Sequence, residues 1–395
     1  MGALLRVLLE KRSKCFWHHG SHGTILAAVA LLFATDQSVS AQQGIAQWRL
    51  GGRPEVAIGD RRIELYRVRA AVTLSGGRIA IADAGNSRIL IFSPNGAVIT
   101  EIGKEGAGPG EFELISMLAA AHDSLVVYDA ALSRVSVWSA RGTLVRTMNL
   151  PRVGDHRINV VAMLSPSEFL ATTHVHTTQE GSGSYRERVA LLRVIGTTGR
   201  TQHVREFDLR RQVLHVQPRG ATTTYSPPFL GSALVSASRG KGVMVPLDST
   251  VLEVLGPASD RTRSVPIPVA RRRFDRKLVD AYRDSILATA NFERFPNAPA
   301  QLRKVYGSDF PAPRFTPPLQ RIQSIGSHVW LQAFVLPGDT SAVWYVVDPE
   351  RARVVARVDL PRDWQLLGGD DHLVLVLRRD EMDVEHVLAH RIERE

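Results

Sequence analysis

The feature that most constrains this chain is a pattern written twice between residues 72 and 148. Residues 72–102 laid on 118–148, an offset of 46, give six identical positions: Asp83/Asp129, Ala84/Ala130, Ser87/Ser133, Arg88/Arg134, Ser93/Ser139 and Gly96/Gly142. Apolar runs coincide around them, 79–82 with 125–128 and 89–92 with 135–138. A repeat of about 40 to 50 residues made of short β-rich runs and tight turns buries its apolar side chains by stacking on copies of itself, as propeller blades do.

Within the first unit, 79–82 reads as a strand and Asp83-Ala84-Gly85-Asn86-Ser87 as a turn, because Gly and Asn tolerate positive φ and Asp and Asn bond nearby backbone. Arg88-Ile89-Leu90-Ile91-Phe92 is the next strand, and Ser93-Pro94-Asn95-Gly96 turns the chain again. These strands are apolar at successive positions, which suits a sheet buried on both faces. The intervals leave no room for the crossover helices of a parallel α/β sheet.

The run Ala82-Asp83-Ala84-Gly85-Asn86-Ser87-Arg88-Ile89-Leu90-Ile91-Phe92, followed by Asn95-Gly96 and by Ile102-Gly103-Lys104-Glu105-Gly106-Ala107-Gly108-Pro109-Gly110-Glu111-Phe112, resembles an NHL repeat with its Gly-rich connector to the next blade. The second unit lacks the Asn and the connector. The resemblance implies an all-β fold, a six-bladed β-propeller of the NHL-repeat type found in exported bacterial proteins. On that plan the blades fall at 72–103, 117–148, 160–207, 232–267, 322–360 and 364–392, with a leading strand near 48–58 closing the ring beside strands of 373–392. Blade three is stretched by a polar hairpin at 174–187.

The segment 271–318 breaks the pattern between blades four and five. Phe274, Leu278, Tyr282 and Ile286 make one helical stripe, and Pro311, Pro313, Pro317 and Pro318 then extend the chain. The segment is expected to be a helical insertion lying over one mouth of the ring, its stripe resting on the propeller. Arg272, Arg273, Arg276, Lys277 and Arg283 on the opposite side are the candidate recognition surface, facing solvent and an acidic protein or anionic cell-surface polymer.

Residues 1–41 read as a secretory signal: Arg6, Lys11, Arg12 and Lys14, an uncharged apolar run at 24–34, then Val39-Ser40-Ala41 before Gln42. As a helix that run reaches only ~16 Å, against a hydrocarbon core of ~30 Å, so cleavage near Ala41 is favoured over anchoring. The expected mature chain, 42–395, is a periplasmic or secreted monomer without a transmembrane segment. Cys15, the one cysteine, precedes the apolar run, so the mature chain forms neither a disulfide nor a thiolate metal site. The net charge of +10 becomes +8 once four basic and two acidic residues leave with the signal. No clustered basic and aromatic motif points to nucleic acid.

The search for chemistry returns little. The Gly-rich stretch at 106–110 lacks the Lys-Ser/Thr of a phosphate-binding loop and precedes no helix, which leaves the connector reading. His174-Val175-His176 sets two imidazoles on one face of a strand, a spacing that suits zinc, but no third ligand is identified, so no metal or cofactor is assigned. The Asp83/Arg88 and Asp129/Arg134 pairs recur, so each is expected to hold its own turn. With no nucleophile elbow and no zinc-protease motif, catalytic residues are unassigned. The sequence favours a non-catalytic binding or scaffolding module, and the alternative is a metal-dependent hydrolase or lyase with its site at the axial mouth.

Overall fold

A computed structural model describes residues 44–394 apart from 60–62, 122, 182, 217–221, 257–261 and 290–296. The expected signal, 1–41, lies outside the described residues. Blade one is the antiparallel meander Val68–Leu74, Arg78–Asp83, Arg88–Phe92 and Val98–Ile102. Blade two repeats it as Ile115–Ala121, Ser124–Asp129, Arg134–Ser139 and Leu144–Asn149. The shared residues carry shared backbone: Ser87 and Ser133 are both left-handed, with φ of 52° and 49°, and Gly96 and Gly142 turn with φ of 83° and 84°. A Cβ at Gly142 would also lie 2.6 Å from Thr100, so that turn needs glycine twice over.

Blade three, opening with Asn159–Ser165, is the outlier. Its Glu168–Gly181, Ser184–Ile195 and Arg200–Val216 strands run far past their neighbours, and Thr222–Tyr225 adds a fifth. Blades four and five are ordinary four-stranded units, Leu234–Ser238 to Arg263–Pro266 and Leu319–Ile325 to Arg353–Pro361. Gln365–Gly369, Leu373–Arg379 and Glu385–Arg394 are three strands of blade six.

Strands buried on both faces are explained by where alternate residues go. In blade one Ile79, Ile81, Leu90 and Phe92 pack on blade six, while Ala80, Ala82, Ile89 and Ile91 pack on blade two. Among the described residues each of the six seams between neighbouring blades has its own apolar core. With about 1.5–3 kcal/mol gained for each large aliphatic side chain fully buried, the seams carry the fold. The six innermost strands contact one another in unbroken order around an axis.

Closure divides between two leading strands. Val56–Ile58 is the outer strand of blade six, pairing antiparallel with residues 387–389. Ala46–Leu50 bridges two blades, parallel to the outer strand of blade five and antiparallel to the end of blade six. Trp48 sits in the seam between them, its ring 6.4 Å from Trp330 and under the Arg394 guanidinium. The exposed edge of the last blade is thereby covered.

Candidate binding face and axial channel

Strand direction sorts the loops. Because strands alternate in direction outward from the axis, the loop between a blade's second and third strands opens on the same face as the connection into the next blade. The left-handed Asp83–Arg88 turn therefore meets the segment entering blade one. Asp83, fully buried, accepts the Tyr66 backbone N–H at 2.7 Å and the Arg88 Nε–H at 2.8 Å. Arg88 reaches on to the Glu64 carbonyl at 3.2 Å. In blade two, Asp129 accepts the N–H groups of Glu113, Leu114 and Leu132, and Arg134 donates to the carbonyls of Ala107 and Glu111. The recurring pair thus pins the incoming chain as well as its own turn. Only blade one makes the direct Asp–Arg contact.

Glu385 plays the corresponding part at the seam of blades six and one, accepting from Val68 N–H and from Arg379, each at 2.7 Å. The Gly-rich connector folds on itself: Gly108 N–H donates to the Glu111 carboxylate at 2.7 Å, and Phe112 is buried beneath it. That bond, followed by Lys104, holds the Glu111 carboxyl below its ordinary value. A phosphate cradle would need such N–H groups unspent.

The same face gathers the excursions: the blade-three hairpin, the overrun of its outer strand, and the insertion. Two helices form the insertion, α1 (Lys277–Thr289) and α2 (Ala298–Val305). Its apolar side rests on the blade-three overrun and the turn after it. Val279, Leu302, Val305, Tyr306 and Phe310 pack with Val213, Phe229, Leu230 and Phe334, a separate core outside the six seams. Helix α1 begins at Lys277, so the fully buried position is Val279 and Leu278 lies outside this core, a shift of the expected stripe. Phe229 is edge-on to Tyr282 at 5.4 Å and to Phe310 at 5.7 Å. Burial pushes the phenols of Tyr225, Tyr282 and Tyr306 up.

Of the five cations expected to face solvent, three are turned to internal work. Arg272 grips Asp339 of blade five through two bonds of 2.9 and 2.7 Å, which is the first cause of that carboxyl lying below its usual value. Arg276 donates to the carbonyls of Gly307 and Ser308. Arg283 pairs with Asp280 and Asp284 and reaches the Tyr306 carbonyl. Bare carbonyls at the loop after α2 need donors, and Arg276 and Arg283 supply them. Arg273 and Lys277 stay exposed, joined by Arg303 and Lys304 of α2. A cleft of about 340 Å³ between the proline return and the blade-three hairpin is lined by Arg211, Arg271 and Arg314, with Asp248 the carboxylate among its lining residues. His174 contacts the His156 ring and Thr177, and no group of three or more metal-ligating side chains occurs among the described residues.

Down the axis runs a channel of about 960 Å³ walled by the innermost strands. Among the described residues, none of those lining it belongs to 271–318. Among the described residues, Arg69 and Arg321 are the charged groups on its wall, both near the starts of their strands and so near the face that carries the excursions. Arg69 donates Nε–H to the Ser116 carbonyl at 3.1 Å. Arg321 is wetted by the channel yet surrounded by protein, and burial first, then the Arg69 charge, lowers its pKa. Sequence reasoning passed over both residues. Their one signal was a lone charge inside an otherwise inner-strand run.

With this geometry the comparisons with known proteins agree. Residues 65–170 match a family model described as a 6-bladed beta-propeller (DUF5128). Over 104 residues the sequence is 32% identical to the RING finger protein nhl-1 of Caenorhabditis elegans. The chain is a six-bladed β-propeller whose first repeats are similar to NHL repeats. That stretch is 26% of this chain and 10% of nhl-1, so it concerns the repeats alone. Among solved structures, a member of the duf4221 family from Bacteroides vulgatus superposes with a TM-score of 0.54 at 10% identity, over 89% of this chain and 99% of that one. Virginiamycin B lyase from Staphylococcus aureus gives 0.39 at 10% identity, over 88% and 99%. At 10% identity the likeness to the Bacteroides vulgatus protein is one of fold. No helix among the described residues is long and apolar enough to cross a membrane.

Proposed function

We propose that this propeller is an exported, non-catalytic binding module that engages an acidic protein or an anionic cell-surface polymer on the face bearing the insertion. The observation that carries the reading is the gathering of every long excursion on that one face, with a concentrated positive charge. Residues 271–318 contain ten basic and five acidic residues, half of the chain's net surplus of +10. Long excursions from a compact scaffold are commonly functional, and a one-sign patch attracts an opposite partner. Export rests on the signal-like N-terminus, and protein recovered from the periplasm or medium should begin at Gln42.

The test is binding of purified protein to immobilised polygalacturonate and to washed cell envelopes. Replacing Arg273, Lys277, Arg303 and Lys304 with Glu should abolish salt-sensitive binding while thermal unfolding is unchanged. Equal binding by the quadruple variant would overturn the reading. Stoichiometric metal in the purified protein, accompanied by turnover of an ester or glycosidic substrate, would replace it with a hydrolase or lyase at the axial mouth.

A further inference from the structure

We propose that the axial channel is a binding site for a small amphiphilic organic anion, a carboxylate or a phosphate ester, with its head between Arg69 and Arg321 and its body in the channel. The proposal is independent of the macromolecular reading above, since no rim residue tested there lines the channel.

The wall chemistry points to an anion. Elsewhere in the chain, guanidinium groups near carboxylates take them: Arg88 with Asp83, Arg193 with Glu168, Arg205 with Glu253, Arg272 with Asp339. In the channel two guanidinium groups line one wall, and no carboxylate among the described residues lines it with them. Arginine does not escape such a position by losing its proton at accessible pH. Arg69 commits only Nε, to a neutral carbonyl, and Arg321 makes no ion pair among the described residues. An oxyanion placed between them would satisfy terminal N–H groups on both sides and cancel the repulsion, the bidentate geometry that guanidinium favours.

Placement supports the same conclusion. Arg69 stands on the innermost strand of blade one and Arg321 on that of blade five, flanking Gln365 at the start of blade six. The three residues form an arc at one level of the mouth. Deeper in, Val72, Ala120, Met163 and Ala237 contribute apolar surface beside Thr73, Ser236 and Ser324. Of the polar groups there, Ser236 and Ser324 bond one another at 2.9 Å and Gln323 is spent on the Leu367 carbonyl at 3.0 Å. The volume of about 960 Å³ lies within the range of small-molecule sites. A charged head at the rim and an apolar body below match this division.

The experiment is calorimetric titration of the full chain with octanoate, octyl phosphate and neutral 1-octanol. At least one anion should bind and the alcohol should not; which anion binds more tightly distinguishes carboxylate from phosphate ligands. Arg69→Gln and Arg321→Gln should each weaken binding about ten- to hundredfold, as expected for the loss of a charge-assisted bond. The melting temperature of each variant should hold or rise, because removing either cation relieves repulsion, and a merely structural arginine would lower it. Arg273→Gln on the rim should leave binding unchanged. Equal binding of the alcohol, no binding of either anion, or full affinity in both channel variants would overturn the assignment.

Discussion

Blades one and two are fastened at their turns by carboxylates bonding to backbone, whereas the insertion between blades four and five is fastened by an aromatic core shared with blades three and five. Asp83 and Asp129 act within about one blade's length of chain, on turns whose left-handed serines are already set locally. Phe229 from the turn after blade three, Tyr282, Tyr306 and Phe310 from the insertion, and Phe334 from blade five make a core only when all three are assembled. The contrast separates two kinds of cooperativity. The ring depends on seams that all neighbours share, and the insertion depends on one core that the ring can survive without.

The largest expected effect tests that independence from the side of the ring. Deleting 42–60 removes both closing strands and uncovers blade six, so cooperative unfolding should be lost and the protein should aggregate. An unchanged melting curve would mean that the closing strands are dispensable. Next, Phe229→Ala should cost about 3–5 kcal/mol, the usual range for a large buried aromatic. Hydrogen exchange should speed up in α1 and α2 far more than in blades one and two. Uniform acceleration would merge the two regions into one cooperative unit.

The staples come next. Asp83→Asn should cost about 2–4 kcal/mol, because Arg88 is left without its buried partner. In a double-mutant cycle, Asp83→Asn with Arg88→Gln should be strongly non-additive. Asp129→Asn with Arg134→Gln should add more nearly, since those two side chains bond different backbone groups. Equal coupling energies in the two blades would contradict the wiring described here.

The smallest effect is acid loosening of the insertion. Asp339 is held below its ordinary value by Arg272, so the stabilisation is complete above the unfolded carboxylate value of ~3.9 and is lost as pH falls through the lower folded value. The pair is partly exposed and should contribute about 1 kcal/mol. Proteolysis of the insertion should increase below about pH 4 in the native protein, while Asp339→Asn should be equally susceptible at neutral and acidic pH.

Read in order, the residues alone determined the repeat, the turn chemistry of Asp83–Ser87 and Ser93–Gly96, the strands buried on both faces and the place of the insertion. All of these are written in neighbouring residues, because turn conformation and strand periodicity are local properties. The overrun of blade three was legible only as a polar hairpin, since charged ladders such as Glu187 with Arg210 and Gln212 look like solvent-facing sequence until their strands are paired. The inward duties of Arg272, Arg276 and Arg283 were illegible, because an arginine beside a helix shows no sign of a bare carbonyl waiting elsewhere. Only the closed ring brought Arg69 of blade one and Arg321 of blade five to the same channel mouth. Each sits on its own inner strand with no local partner, and their opposition arises from the sixfold geometry, which joins the two ends of the chain.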